Sequence, residues 1–205
     1  MTLWAELLGR LLIIGALAIL PYAAIRAAWR RRRKARRNIL RELLLAIFIL
    51  FSTGLVILIF WPRTGAPGGS GLAGAAAPSI SGIIENAKAR IRSMRGINLI
   101  PFASIRGYFR HTASEQFLVN IVGNIAVFVP FGFFPPLLWR RWRKPRNVFL
   151  YGLALPVLIE FVQLFNGRSV DIDDIILNFS GAAMGCLLYN VLKLILPKFI
   201  RRLVE

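Results

Sequence analysis

Histidine and cysteine each occur once in this 205-residue chain, and only nine residues are acidic. A single cysteine, Cys186, cannot form an internal disulfide, and its place inside an apolar run says little about redox compartment. With His111 as the one histidine, the His/Cys sets that bind zinc are missing, and so is a clear pairing of nucleophile and base. No Gly-rich phosphate loop or zinc-finger spacing occurs either. Neither a metal nor a cofactor is therefore expected. Long polar stretches are scarce too, since 57% of the residues are hydrophobic.

Positive charge is abundant: 27 Lys and Arg give a formal net charge of +18. In a soluble domain that excess would point to nucleic acid. Here most basic residues form short blocks between long apolar runs, the pattern of an inner-membrane protein with positive-inside bias, so nucleic acid is not expected as a partner.

Five stretches reach the roughly 20 apolar residues that a bilayer-crossing helix needs. They are 7–24, 43–61, 117–139, 148–165 and 175–196. The first lacks the basic leader of a signal peptide, and the heavy charge follows it, so it reads as an uncleaved helix. The third contains Pro130, Pro135 and Pro136, which remove backbone donors and predict a kink or an early end. The expected fold class is all-α: a polytopic membrane helix bundle of about five transmembrane helices. Basic blocks at 26–41, 140–146 and 198–202 then share one side, the cytoplasmic one, with the N-terminus outside and the C-terminus cytoplasmic. The expected organisation is an additional helix and basic loop at 1–42, a membrane domain at 43–197 with a flexible outer loop at 62–96, and a basic tail at 198–205.

The outer loop has two parts. Residues 64–79 are rich in Gly, Ala, Pro and Ser and read as a linker. From 80 to 94, Ile80, Ile83, Ile84, Ala87, Ile91 and Met94 recur at helical spacing, with Lys88, Arg90, Arg92 and Arg95 at other positions. That predicts an amphipathic helix, either lying on the outer leaflet with its basic residues near head groups or packed on the protein itself.

Polar residues in and beside the last three spans carry the functional signal. An acid within a span costs about 2.5–3.5 kcal/mol on insertion scales unless it has a partner or water. Glu160 and Gln163 share a face near the end of the fourth span, and Asn120 and Asn124 lie one turn apart near the start of the third. Asp174 and Asn178 continue into Gly181 and Gly185 along one stripe of the fifth, with Arg168, Asp171 and Asp173 just before it. The orientation places all of them near the outer face. Structural readings stand beside this one: the asparagines can tie helices together, Asp171 or Asp173 can cap the fifth helix, Arg168 can pair with Asp171, and Gly181 to Gly185 is a small-xxx-small packing pattern.

These residues also resemble a known family. The segments 98–102 (Asn-Leu-Ile-Pro-Phe), 120–124 (Asn-Ile-Val-Gly-Asn) and 128–132 (Phe-Val-Pro-Phe-Gly) are similar to the VanZ-like family in order and spacing. So are Glu160-Phe161-Val162-Gln163, Arg168, the 171–174 run (Asp-Ile-Asp-Asp), Asn178 and Gly181. The resemblance covers about 43–196; the first helix and its basic loop look like additions to a four-helix unit. The family takes its name from a membrane protein of glycopeptide-resistance clusters that lowers susceptibility to teicoplanin. The resemblance implies a bacterial cell-envelope protein, multi-pass in the cell membrane, whose shared polar positions correspond here to Asn120, Asn124, Glu160, Gln163, Asp171, Asp174 and Asn178, with Arg168 and Asp173 beside them.

Two functional classes follow. In one, the outer cluster binds a lipid, a lipid-linked cell-wall intermediate or a lipophilic glycopeptide, with carboxylates as acceptors, amides as both donors and acceptors, and Arg168 for a phosphate. In the other, it is an active site for an envelope lipid or glycan, with Glu160 as general acid or base and the aspartates recruiting a divalent ion. Transport is less favoured, since no internal repeat is visible. Membrane lipids are the expected partners, and an oligomer stays open.

Overall fold

A computed structural model describes residues 22, 38–60, 79–110 and 118–204. Apart from Tyr22, the expected first span lies outside the described residues, as do most of the 26–41 block, the linker up to residue 78, and His111.

The architecture is all-α except for one two-residue strand pair. Helix α1 (Ile39–Phe60) begins where Asn38 Oδ1 accepts the Arg41 N–H at 3.2 Å, closing one of the donors that a helix start leaves open. Helix α2 (Ile80–Ser93) is capped by Ser79, whose Oγ accepts from Gly82 N–H at 3.1 Å, and ends at Met94 in the left-handed region. Strand β1 (Ile97–Asn98) and the short α3 (Ala103–Arg110) follow. A π-helical turn (Leu118–Val122) leads into α4 (Gly123–Leu138). A 3₁₀ turn (Arg140–Arg143) precedes α5 (Pro145–Phe165), which starts on a proline, a residue suited to the first helical position because no partner awaits its missing N–H. Strand β2 (Val170–Asp171), α6 (Ile172–Ile195) and α7 (Pro197–Val204) complete the chain.

Among the described residues, four helical stretches are long and apolar enough to cross a membrane: Ile39–Ile57, Asn120–Leu138, Pro145–Phe165 and Ile172–Ile195. They correspond to the second to fifth expected spans. The third does not end early. It runs through Pro130, Pro135 and Pro136 to Leu138, because packed neighbours can hold a helix together where prolines remove internal bonds. Those neighbours are close. A Cβ built on Gly181 would lie 2.2 Å from Ile125 O, and one on Gly185 would lie 1.9 Å from Val129 O. These pairings advance together, so α4 and α6 run parallel, with backbone against backbone over about two turns. Their contact is the small-residue seam anticipated for 181–185.

Helix α5 returns antiparallel and packs chiefly on α6: Gly152 lies against Ala182, and Glu160 reaches Asp171. Helix α1 is also antiparallel to α4. Arg41 Nη2 donates to Leu138 O at 3.2 Å, while Phe48 stacks on Phe134 and Phe51 meets Phe131 edge-on. Ile59, Phe128, Phe131 and Ile159 form one buried apolar cluster among these helices. The segment expected as a basic tail folds as α7. Ile200 and Leu203 pack on Leu137 and Tyr189, while Arg201 and Arg202 stay exposed.

This topology sorts the chain by chemistry. The starts of α4 and α6 and the ends of α1 and α5 share one end of the bundle. The basic 140–146 segment and α7 share the other. A groove of about 500 Å³, lined by Tyr22, Leu45, Phe48, Ser52, Thr53 and Trp139 among others, runs along α1 and contains none of the polar residues singled out above.

Candidate functional site

At the polar end, β1 pairs in parallel with β2, Ile97 opposite Val170 and Asn98 opposite Asp171. This bridge joins segments more than 70 residues apart and places 96–105 directly against the start of α6. Val170 N–H donates to Gly96 O at 2.8 Å. Two aspartates then divide the work.

Asp171 caps α6, its Oδ1 accepting from Asp173 N–H at 2.9 Å. The same oxygen accepts from Asn98 Nδ2 at 3.0 Å, and Oδ2 accepts from the Ser104 hydroxyl. Its own N–H donates to Glu160 Oε2 at 3.0 Å. Asp173 is only 1% exposed. Its carboxylate accepts three backbone N–H groups, from Phe102, Ser104 (2.8 Å) and Ile105 (3.1 Å), which ties the turn before α3 and the start of α3 to α6. A buried carboxylate requires such donors, because an unpaired charge in a poorly solvated place is strongly unfavourable.

Glu160 is 3% exposed and lies one turn before the end of α5. Asp174, three residues into α6, accepts from Asn124 Nδ2 at 2.7 Å and so connects α6 to the first turn of α4. Asn124, Glu160, Asp171 and Asp174 therefore form one cluster drawn from three helices. Asn178 is buried one turn further along α6, and its Oδ1 has no partner among the described residues. Gln163 is buried one turn past Glu160, with its backbone carbonyl accepting Arg168 N–H at 3.1 Å. Asn120 is half-buried in the π-helical turn before α4 and has no hydrogen bond to the cluster among the described contacts.

Two arginines close the rim. Arg168 Nη1 donates to Ile59 O, at the end of α1, at 3.1 Å. Arg90 comes from α2 and donates to two carbonyls, Leu164 O at 2.7 Å and Arg168 O. One arm of α2 thus faces the protein. A guanidinium suits the end of α5, where the last carbonyls lack helical partners and carry the negative end of the dipole. Among the described residues, no group of three His, Cys, Asp or Glu side chains is arranged to hold a metal ion.

A model of the VanZ/LLP1 family matches residues 48–193. The chain belongs to the VanZ/LLP1 family. That match covers all four membrane-length helices in part or whole, together with the entire polar end. No curated protein and no solved structure matches this family member. Its four apolar helices make it a membrane protein. Asn98, Ser104 and Arg90 were not among the site residues expected from sequence. Asn98 stands in one of the segments that carry the resemblance, but an ordinary loop asparagine offers no signal of its destination. Ser104 and Arg90 offer none either, since Asp171 lies 67 residues from Ser104 and the carbonyls that Arg90 reaches lie 74 or more residues from it.

Proposed function

We propose that this VanZ/LLP1-family protein is a binding or accessory protein of the bacterial cell membrane, engaging a lipid, a lipid-linked wall intermediate or a lipophilic glycopeptide. The observation that carries this reading is the Asn124–Glu160–Asp171–Asp174 cluster, assembled at one end of a bundle of apolar helices. Such a place suits an amphiphile. Its polar group meets carboxylate acceptors and amide donors, and its chains lie along helices that expose Phe161, Val157 and Leu158. The densest basic blocks, 140–146 and α7, lie at the opposite end, and the positive-inside bias, which is weak for a long loop such as the one carrying Arg92, Arg95 and Arg106, favours an outer position for the cluster with the C-terminus cytoplasmic.

The orphan Asn178 Oδ1 adds an acceptor that a ligand hydroxyl would satisfy. Catalysis is the weaker reading. Asp171 and Asp173 both hold backbone, so few carboxylate oxygens are left for chemistry.

The test is phenotype first: deletion and overexpression scored for envelope stress and teicoplanin susceptibility. Glu160→Gln and Asp174→Asn follow, with binding of teicoplanin to the purified protein as readout. A binding site should keep part of its affinity in Glu160→Gln, whereas acid–base chemistry would be abolished. Unchanged binding and phenotype in both variants would remove the cluster from the function.

A further inference from the structure

The turn between β1 and α3 is an exposed apolar feature at the polar end. Leu99 is 58% exposed, Ile100 70% and Phe102 54%, with Pro101 between them. Nothing about this turn suggests a loose loop. Asn98 Oδ1 accepts Ile100 N–H at 3.1 Å, Asp173 accepts Phe102 N–H, and the β1–β2 pair fixes its base. Phe102 holds a left-handed backbone, φ 64°, which a non-glycine residue keeps only where its surroundings impose it. A buried aspartate thus holds an apolar tip outward.

The level of the tip identifies its surroundings. Its anchor, Asp173, lies in the first turn of α6, a span of 24 residues and hence about 36 Å long, against about 30 Å of bilayer hydrocarbon. The start of α6 therefore stands at the membrane interface. Charge selects among occupants. Arg92, Arg95 and Arg106 flank the tip and are exposed, and no acidic residue occurs from 86 to 114. A second copy would bring the same positive charge to the contact, whereas an anionic leaflet complements it.

We propose that residues 99–102 form a fixed apolar wedge seated in the bilayer leaflet at this end, with Arg95 and Arg106 on anionic lipid head groups. The wedge holds the polar cluster at head-group depth. The inference rests on the four spans and not on the ligand of the cluster, so the Glu160 experiment can fail without affecting it.

The test uses the full-length chain with Ile100→Cys in a Cys186→Ser background, labelled with an environment-sensitive fluorophore. It is reconstituted into phosphatidylcholine vesicles with or without phosphatidylglycerol. Ile100 is exposed, so its replacement leaves the core intact; unchanged helicity by circular dichroism verifies this. Emission should be blue-shifted and quenched several-fold more strongly by lipids carrying a shallow nitroxide than by aqueous iodide. Arg95→Glu with Arg106→Glu should reduce the lipid quenching in phosphatidylglycerol vesicles and leave it unchanged in neutral ones. Iodide quenching as strong as that of the free conjugated dye would overturn the proposal. Shielding that disappears on dilution with lipid would overturn it as well, assigning the tip to a second copy. Equal response to the arginine changes in both vesicle types would overturn the anionic partner.

Discussion

Helices α4 and α6 meet twice, by different means. Along their middle, Gly181 and Gly185 bring one backbone against the other with no polar side chain involved. At their starts, Asn124 and Asp174 join through a hydrogen bond, within a cluster that also recruits β1, α3 and α5. The seam is held by close backbone approach, the polar end by matched donors and acceptors. In a bilayer this division is natural. Lipid tails give helices no hydrophobic reason to associate, so close van der Waals packing must supply it, while polar groups near the surface can arrange a site.

The comparison breaks most sharply at the seam. Gly185→Leu places a side chain where Val129 O already stands, and should cost about 3 kcal/mol or more in a detergent unfolding titration. Gly123→Ala, with open space around its added methyl, should change stability by no more than about 0.5 kcal/mol. Equal effects would mean that the seam does not hold the helices. At the polar end, Asp173→Ala deprives three buried N–H groups of their acceptor and should cost about 2–3 kcal/mol. Asp173→Asn, which keeps one oxygen, should recover part of that loss in the same titration.

Arg90→Ala removes two carbonyl contacts and should cost about 1–2 kcal/mol, with faster amide exchange at the end of α5. Glu160→Gln sits at the bottom of the scale. Its amide oxygen can still accept Asp171 N–H, so stability should move by under about 1 kcal/mol while ligand binding changes. A large loss of stability there would make Glu160 a structural residue like Asp173, and the line between scaffold and site would shift.

Residues 171–174 show how far sequence reasoning carried into the site. Three aspartates at the head of an apolar run announce a helix cap, and Asp171 is that cap. Which of the remaining two would be sealed against backbone had no local signal: Asp173 and Asp174 are adjacent and chemically identical. Their directions differ by one helical step, which turns Asp173 toward the 102–105 backbone and Asp174 toward Asn124. Of the two readings open for α2, a helix on the leaflet or one packed on the protein, spacing alone could not say which of them Arg90 would follow. Amphipathic spacing locates the faces of α2, but Arg90 is held by the end of α5, which only the packed chain brings within reach. The early end that the prolines of α4 allowed for does not occur, because their effect depends on neighbours, and α6 is such a neighbour along the seam.

Hydropathy runs, charge blocks and capping residues are local, so the sequence by itself determined the membrane-length helices, the basic blocks and an aspartate cap on α6. Family motifs in the chain marked the polar positions. Tertiary structure alone decided which of those positions touch, because Asn98, Ser104 and Asn124, which meet Asp171, Asp173 and Asp174, come from segments 50 or more residues away. A hydrogen bond needs its two atoms within about 3 Å, and no periodicity along one segment can state where another will return.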